Sequence, residues 1–226
     1  MIKAILFDKD GTLLEYSDFR ILATRKFISS FKLDSLKATE LLRLLGIEKD
    51  KVLENSLLAS ATIEDIAFFI AAYMNEDRSI IYKRLDNFYY KALVKNKEQI
   101  RPTCDLKKLF DFLKGKNIKI GLVTSDNFRQ AKYSFEYLGL SSYIDFYACG
   151  DLYKKKPNKE SLYAFLDKFS LSEKELAVCG DSIVDMEFAS ADNLKIGVLS
   201  GTGKANTLIK YADILINSPE GIIKLL

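Results

Sequence analysis

Two aspartates one residue apart are the first residues of this chain that could do chemistry. In "ILFDKDGTLL" (5–14), three apolar residues, Ile5, Leu6 and Phe7, lead directly into Asp8 and Asp10. Carboxylates this close repel each other, so one of them has a raised pKa unless a cation joins the pair. Asp-Gly is also a common turn dipeptide, and a polar turn is the simpler interpretation of this fragment alone. A catalytic interpretation therefore needs support from polar residues elsewhere in the chain.

Three further groups of polar residues each come after a short apolar run. Thr124 and Ser125 follow "IKIGLV" (118–123), Lys156 lies in "DLYKKKP" (151–157), and Asp181 and Asp185 lie in "GDSIVD" (180–185). The paired acids can share a hard cation with Asp181. Mg²⁺ is the ion we expect, because it takes oxygen ligands.

The hydrophobic pattern predicts the elements that must position these residues. From about residue 102, strand-like and helix-like segments alternate, which indicates right-handed βαβ units and a parallel sheet. The strand predicted at residues 2–7 is too short to stand alone, so it joins that sheet. Residues 18–95 read as helix after helix, with no convincing strand. Ligands of such open sheets bind outside the carboxyl ends of the strands, where the polar groups would converge.

We therefore predict an α/β fold, with a Rossmann-like parallel sheet core and an inserted all-helical cap domain. The core comprises residues 1–15 and 98–226. Residues 16–97 form the cap, which is called the insert below. Linkers near residues 15–17 and 96–101 would let the insert close over the crevice and exclude water from it.

Composition excludes several classes of protein. The chain has 34 basic and 31 acidic residues, so its net charge of +3 implies no general affinity for nucleic acid or an anionic membrane. It has no histidine, which excludes Ser-His-Asp and Cys-His catalysis and histidine-ligated zinc. Three cysteines without a C-x-x-C pattern, and an N-terminus without a signal-peptide pattern, favour a reduced cytoplasmic protein. We expect a monomer or a homodimer.

The four motifs, in this order, resemble those of the haloacid dehalogenase superfamily of aspartate-nucleophile hydrolases. The motifs are "DKDGT", "LVTS", "KKKP" and "GDSIVD", and the resemblance covers residues 1–14 and about 100–226. It implies hydrolysis of a phosphomonoester, in which Asp8 is the nucleophile and Asp10 is the acid and base. It also implies that Asp8, Asp181 and the backbone carbonyl of Asp10 bind Mg²⁺.

The resemblance further implies that Thr124, Ser125 and Lys156 bind the transferring phosphoryl oxygens. Lys155 is an alternative to Lys156, since the two are adjacent in a run of three lysines. Asp185 would support the lysine or a metal-bound water, although an acid in the first turn of a helix is favourable in any case.

Two other segments of the core lead to further predictions. Asp126 adjoins the phosphate-binding residues, and we expect it to point away as a helix cap, because another anion there would oppose phosphate binding. "SGTGKAN" (200–206) does not match a nucleotide-binding P-loop, since five residues separate Gly197 from Gly203 and Ala205 follows the lysine.

Substrate selectivity must come from the insert, because the core specifies only the phosphate end. The insert resembles the small helical caps of phosphoglycolate phosphatase-like enzymes. Its loop "LRLLGIEKDK" (42–51) carries Arg43, Lys49 and Lys51, which could pair with a second anionic group. A solvated helix end is the alternative. Phosphoglycolate is the lead substrate; a sugar-phosphate mutase, a phosphonate hydrolase or a non-catalytic binding protein remain alternatives.

Overall fold

A computed structural model of the chain describes residues 1–15, 18–49, 51–53 and 56–226. Its strands are β1 (Ala4–Asp8), β2 (Ile47–Glu48), β3 (Lys51–Val52), β4 (Lys119–Val123), β5 (Phe146–Ala148), β6 (Leu176–Gly180), β7 (Leu194–Val198) and β8 (Ile214–Ile216). Its α-helices are α1 (Asp18–Ser29), α2 (Ser35–Leu44), α3 (Leu57–Ser60), α4 (Ile63–Met74), α5 (Arg78–Lys95), α6 (Leu106–Gly115), α7 (Phe128–Tyr137), α8 (Glu160–Phe169), α9 (Ile183–Phe188) and α10 (Ala205–Leu208). Single 3₁₀ segments lie at Lys97–Gln99, Ser141–Tyr143, Glu173–Glu175 and Pro219–Lys224.

In the described chain the main sheet has six parallel strands, in the order β5-β4-β1-β6-β7-β8. The first strand lies in the middle, between β4 and β6, which confirms that it joins the sheet formed by the second half of the chain. Successive side chains of a strand point to opposite faces, so a central strand must be apolar on both. Ala4, Ile5, Leu6 and Phe7 are accordingly all buried. The α/β class with a parallel core sheet is confirmed.

Helices cover both faces of this sheet. On one face, Phe110 of α6 and Phe135 of α7 pack in a cluster with Phe7. On the other face, Phe165 of α8 and Phe188 of α9 pack in a cluster with Leu6 and other strand residues. Alternate residues of β1 thus belong to two different hydrophobic clusters, as a sheet buried on both sides requires.

The insert has a hydrophobic cluster of its own, which includes Phe27, Leu41, Ile66, Ile70 and Leu85. Helices α1 to α5 provide most of it, as the sequence pattern predicts. One detail differs from an all-helical insert: β2 and β3 form a short antiparallel hairpin. Each strand has only two residues, too few for an alternating pattern to be visible in the sequence.

Helix boundaries in the insert follow local capping. Thr62 and Asp65 form a capping box at the start of α4, as their spacing indicates. At the start of α2 the capping side chain is that of Asp34, which accepts a hydrogen bond from the Lys37 backbone N–H. Gly46 after α2 has φ +95°, a conformation that favours glycine and ends the helical run.

The two chain segments that join the core to the insert run side by side. The Glu15 N–H donates to the Arg101 carbonyl at 2.8 Å, and the Thr103 N–H donates to the Leu13 carbonyl at 3.0 Å. Residues 16 and 17 of the first predicted linker lie outside the described residues, as does Asp50 of the 42–51 loop. The division into residues 1–15 with 98–226 and residues 16–97 stays a prediction. No helix in the described ranges is long and apolar enough to cross a membrane.

Candidate active site

All seven core residues that the sequence singled out line one cavity of about 100 Å³ at the carboxyl ends of the central strands. They are Asp8, Asp10, Thr124, Ser125, Lys156, Asp181 and Asp185. They come from four separate loops, and the parallel sheet brings those loops together because parallel strands end at the same edge. This convergence is the main structural support for a site.

Lys156 connects two of the acids. Its Nζ lies 2.6 Å from an oxygen of Asp8 and 2.6 Å from an oxygen of Asp185, and its side chain is only 9% exposed. Burial by itself lowers the pKa of a lysine, but the charges of Asp185 and Asp8 raise the pKa of Lys156 above its ordinary value. Lys155 instead points to the insert, with its Nζ 2.8 Å from Asp65. Of the two adjacent lysines, Lys156 is therefore the one in the site.

Asp185 is held on both of its oxygens. One accepts the hydrogen bond from Lys156, and the other accepts from the Ser182 N–H at 3.0 Å and the Ser182 hydroxyl at 2.6 Å. The two residues form a capping box at the start of α9. Asp185 therefore serves the helix terminus and the lysine at once, an arrangement that fits a supporting role.

Asp181 lies against "SGTGKAN", the segment that does not match a P-loop. One Asp181 oxygen accepts from the Thr202 N–H at 2.8 Å and from the Thr202 hydroxyl at 3.2 Å. A Cβ on Gly201 would come within 2.0 Å of that oxygen, and one on Gly203 within 1.9 Å of the Asp181 carbonyl oxygen. Sequence reasoning missed this support. The signal was a Gly-x-Gly just after the apolar run "LKIGVL" (194–199).

The donor set suits a divalent cation with a preference for oxygen. Carboxylate oxygens of Asp8, Asp181 and Asp185 all lie within 4.8 Å of one another. Burial, followed by the charge of Asp185, raises the pKa of Asp181 to about 6. Burial also raises the pKa of Asp8 well above its ordinary value, against the opposing charge of Lys156. A cation bound here would offset the burial of these carboxylates and their mutual repulsion, which together raise the two pKa values.

Thr124 and Ser125 follow β4 directly. The Thr124 N–H donates to the Ala148 carbonyl at 2.9 Å, which continues the pairing of β4 with β5. Its hydroxyl oxygen accepts from the Asp126 N–H at 3.2 Å. This short turn places both hydroxyl side chains in the lining of the cavity.

Asp10 belongs to a ring of four alternating charges, which we call the ion-pair ring: Lys9, Asp10, Arg20 and Asp126. Lys9 Nζ lies 2.7 Å from Asp10 and 2.9 Å from Asp126. Arg20 lies 3.1 Å from Asp126 and 3.6 Å from Asp10. Sequence reasoning missed both cations of this ring. Lys9 was visible only as a charged residue between two aspartates, and Arg20 only as an arginine near the start of the insert.

The expectation that Asp126 caps the following helix is wrong, although its side chain does stay out of the cavity lining. Its side chain, which is 13% exposed, lies in the ion-pair ring, and Asn127 occupies the N-cap position of α7 without a side-chain capping bond. Burial by itself raises the pKa of Asp126, but the charges of Lys9 and Arg20 lower it below its ordinary value. Two cations thus neutralise the acid that would otherwise oppose phosphate binding.

A family model described as haloacid dehalogenase-like hydrolase matches residues 5–199 of the 226-residue chain. The chain belongs to the haloacid dehalogenase-like hydrolase family. This confirms the resemblance carried by the four motifs.

Several similar proteins align with nearly the whole length of this haloacid dehalogenase-like hydrolase. A phosphorylated carbohydrates phosphatase from Thermotoga maritima is 23% identical over 230 residues, covering 100% of this chain and 98% of that protein. A phosphoglycolate phosphatase from Aquifex aeolicus is 23% identical over 227 residues, covering 100% and 97%. The crystal structure of a β-phosphoglucomutase from Clostridium difficile matches with a TM-score of 0.69 at 22% identity, covering 98% of this chain and 93% of that one. At this identity the structural likeness shows the fold.

The insert of this haloacid dehalogenase-like hydrolase contributes different residues from those that the sequence suggested. Arg20 of α1 and Ala59 of α3 are its described residues in the cavity lining. Arg43, Lys49 and Lys51 are described, and none of them is in that lining. The Lys49 carbonyl accepts a hydrogen bond from Arg25 within the insert. The positions of these three residues therefore give no support to a selective role.

Proposed function

We propose that this protein is a Mg²⁺-dependent phosphatase that hydrolyses a small phosphomonoester through an aspartyl-phosphate intermediate. The observation that carries the proposal is the Asp8 carboxylate at the end of β1, 2.6 Å from the Lys156 ammonium in a small polar cavity. A cation beside a carboxylate nucleophile is what a dianionic phosphoryl group needs in order to approach it.

In the first step, an Asp8 oxygen attacks phosphorus and the bond to the leaving oxygen breaks, while Asp10 gives its proton to that oxygen. In the second step, Asp10 takes a proton from water as the water attacks the same phosphorus. Inorganic phosphate leaves and the Asp8 carboxylate is regenerated. Covalent catalysis of this kind divides one difficult displacement into two easier ones. Thr124, Ser125 and Lys156 orient the phosphoryl oxygens during both steps.

Asp8, Asp181 and the backbone carbonyl of Asp10 would hold the Mg²⁺ ion. When bound, the ion supplies positive charge to phosphoryl oxygens as negative charge develops on them. The proximity of the Asp8 and Asp181 carboxylates and the raised pKa values of both residues support this assignment.

The substrate we propose is small and anionic, with phosphoglycolate as the lead, and sugar phosphates or nucleoside monophosphates after it. A cavity of about 100 Å³ favours a small molecule. Similar proteins bear the names phosphoglycolate phosphatase and phosphorylated carbohydrates phosphatase. A phosphonate hydrolase would need a lysine of the insert at the site, and the described residues of the insert that line the cavity are Arg20 and Ala59.

The test is phosphate release from an aryl phosphate and from a panel of phosphorylated metabolites, each with Mg²⁺ and with EDTA. We expect turnover with Mg²⁺ and none with EDTA, and the ranking by kcat/KM identifies the substrate class. Absence of metal-dependent turnover on every ester would contradict the proposal. Isomerisation of a sugar phosphate without phosphate release would point to a mutase instead.

A further inference from the structure

Lys9 occupies an unusual place for a lysine. It lies between the two aspartates of the first motif, directly after a buried strand, and only 4% of its surface is exposed. Moving an ammonium group out of water is strongly unfavourable unless acids pair with it. Asp10 and Asp126 provide that pairing, at 2.7 and 2.9 Å from Nζ.

The ion-pair ring holds the two oxygens of Asp10 unequally. Lys9 donates a hydrogen bond to Oδ1 at 2.7 Å. Arg20 lies 3.6 Å from Oδ2, which is longer than a hydrogen bond. One oxygen of the carboxylate is thus fixed by Lys9, while the carboxylate as a whole lines the cavity beside Asp8. This leaves Oδ2 as the oxygen that can exchange a proton with a substrate.

Asp126 in turn fixes Lys9. It accepts from Lys9 on Oδ2 and from Arg20 on Oδ1, so both of its oxygens are used within the ring. Its backbone N–H is bound to the Thr124 hydroxyl, which ties this acid to the loop after β4. The ring therefore connects Asp10 to a rigid strand end of the core.

From this geometry we propose that Lys9 is a positioning residue for Asp10: it anchors Oδ1 so that Oδ2 is presented to the leaving oxygen of the ester. Asp126 supports this role by fixing Lys9. The inference rests on the proposed phosphatase function, because it concerns the acid of that reaction. Lys9 itself does not touch the substrate.

The variant Lys9→Met tests the role because it keeps the length of the side chain and removes its charge. The assay compares kcat/KM for two esters in the presence of Mg²⁺: an aryl phosphate, whose leaving group departs without a proton, and an alkyl phosphate, whose leaving group needs one. General acid catalysis is worth about 10²–10⁴-fold. We expect kcat/KM for the alkyl ester to fall about 10-fold or more beyond any fall for the aryl ester, because misplacing Asp10 removes part of the general acid contribution.

A control variant and a binding measurement separate positioning from general damage. Lys114→Met removes a partly buried lysine that lies 2.5 Å from Asp145, away from the cavity lining, and should leave the ratio of the two esters unchanged. Mg²⁺ with beryllium fluoride should raise the Tm of Lys9→Met as much as that of the wild type, because Asp8, Asp181 and Lys156 are intact. Equal losses on the two esters would overturn the proposal.

A second variant covers the case in which Lys9→Met does not fold. Lys9→Met with Asp126→Asn removes one charge of each sign, so the ring stays neutral with Asp10 paired to Arg20. We expect this double variant to show the same selective loss on the alkyl ester. Recovery of the wild-type ratio would show that Lys9 only balances charge, and would overturn the positioning role. If the wild type releases phosphate from no ester of the panel, the proposed phosphatase function fails; a wild type that is active while Lys9→Met shows no selective loss fails this inference alone.

Discussion

The core and the insert hold their polar residues in different ways. Site residues of the core lie at strand ends or helix starts, where backbone hydrogen bonds fix them; Asp181 with the Thr202 N–H and Asp185 with the Ser182 N–H are examples. The insert meets the core through ion pairs made by long, flexible lysine and arginine side chains. Examples are Lys155 with Asp65, Arg20 with Asp126 and Arg129 with Asp86.

This difference separates two tasks. Groups that take part in bond making must be held within a fraction of an ångström, which a parallel sheet provides. A surface that admits a substrate and excludes water has to move, and polar contacts between domains allow such motion. We therefore expect substitutions in the core site to change the chemical step, and substitutions between core and insert to change mobility and access.

The largest effect is expected for Asp8→Asn. The change keeps the shape of the side chain and removes the nucleophile, so turnover should fall by about 10⁴–10⁶-fold. Tm and circular dichroism should show that the fold survives. Retention of a tenth of the wild-type activity would rule out direct attack by this carboxylate.

The adjacent lysines provide a matched pair for the next prediction. Lys156→Met leaves Asp8 and Asp185 without their shared counter-charge, and loss of one donor to a developing anion typically costs about 10²–10³-fold in kcat. Lys155→Met breaks only the half-exposed pair with Asp65, so kcat should stay within about twofold. Similar losses in both variants would contradict the placement of Lys156 alone in the site.

A smaller effect on turnover, and a larger one on mobility, is expected at Asp86 of α5. Its carboxylate accepts hydrogen bonds from Asn127 at 2.9 Å, Arg129 at 2.7 Å and Gln130 at 2.7 Å, which join the insert to α7. Asp86→Ala should raise protease sensitivity near residues 96–101 and broaden the scattering profile, because those donors lose their acceptor.

The control for Asp86 is Glu64→Ala, which breaks an exposed pair with Arg78 inside the insert. It should change neither measurement. If Asp86→Ala resembles this control, and if Mg²⁺ with beryllium fluoride also leaves the wild-type profile unchanged, then hinged closure of the insert loses its support.

The smallest effect is expected for Arg43→Ala, Lys49→Ala and Lys51→Ala. These side chains are outside the described cavity lining, so the ranking of esters by kcat/KM should change by less than about twofold, as for exposed charges. A reordering of phosphoglycolate and neutral sugar phosphates would restore the loop at 42–51 as the selective element.

By itself the sequence predicted the α/β class, the membership of the first strand in the core sheet and the convergence of seven core residues at one edge of that sheet. The physical reason is that parallel strands place their carboxyl ends at one edge, so residues just after strand-like runs must meet. The capping box of Thr62 and Asp65 is likewise a local feature, since its two residues are three positions apart in the chain.

Only the tertiary structure decided which of two adjacent lysines enters the site, which way Asp126 points, and which residues of the insert reach the cavity. Each of these depends on a partner distant in sequence: Lys156 on Asp8, and Arg20 on Asp126, 106 residues away. A run of charged residues has the same local pattern whether it is solvated or paired. The choice is made when tertiary packing, within the core for Lys156 and between insert and core for Arg20, brings opposite charges together and removes them from water.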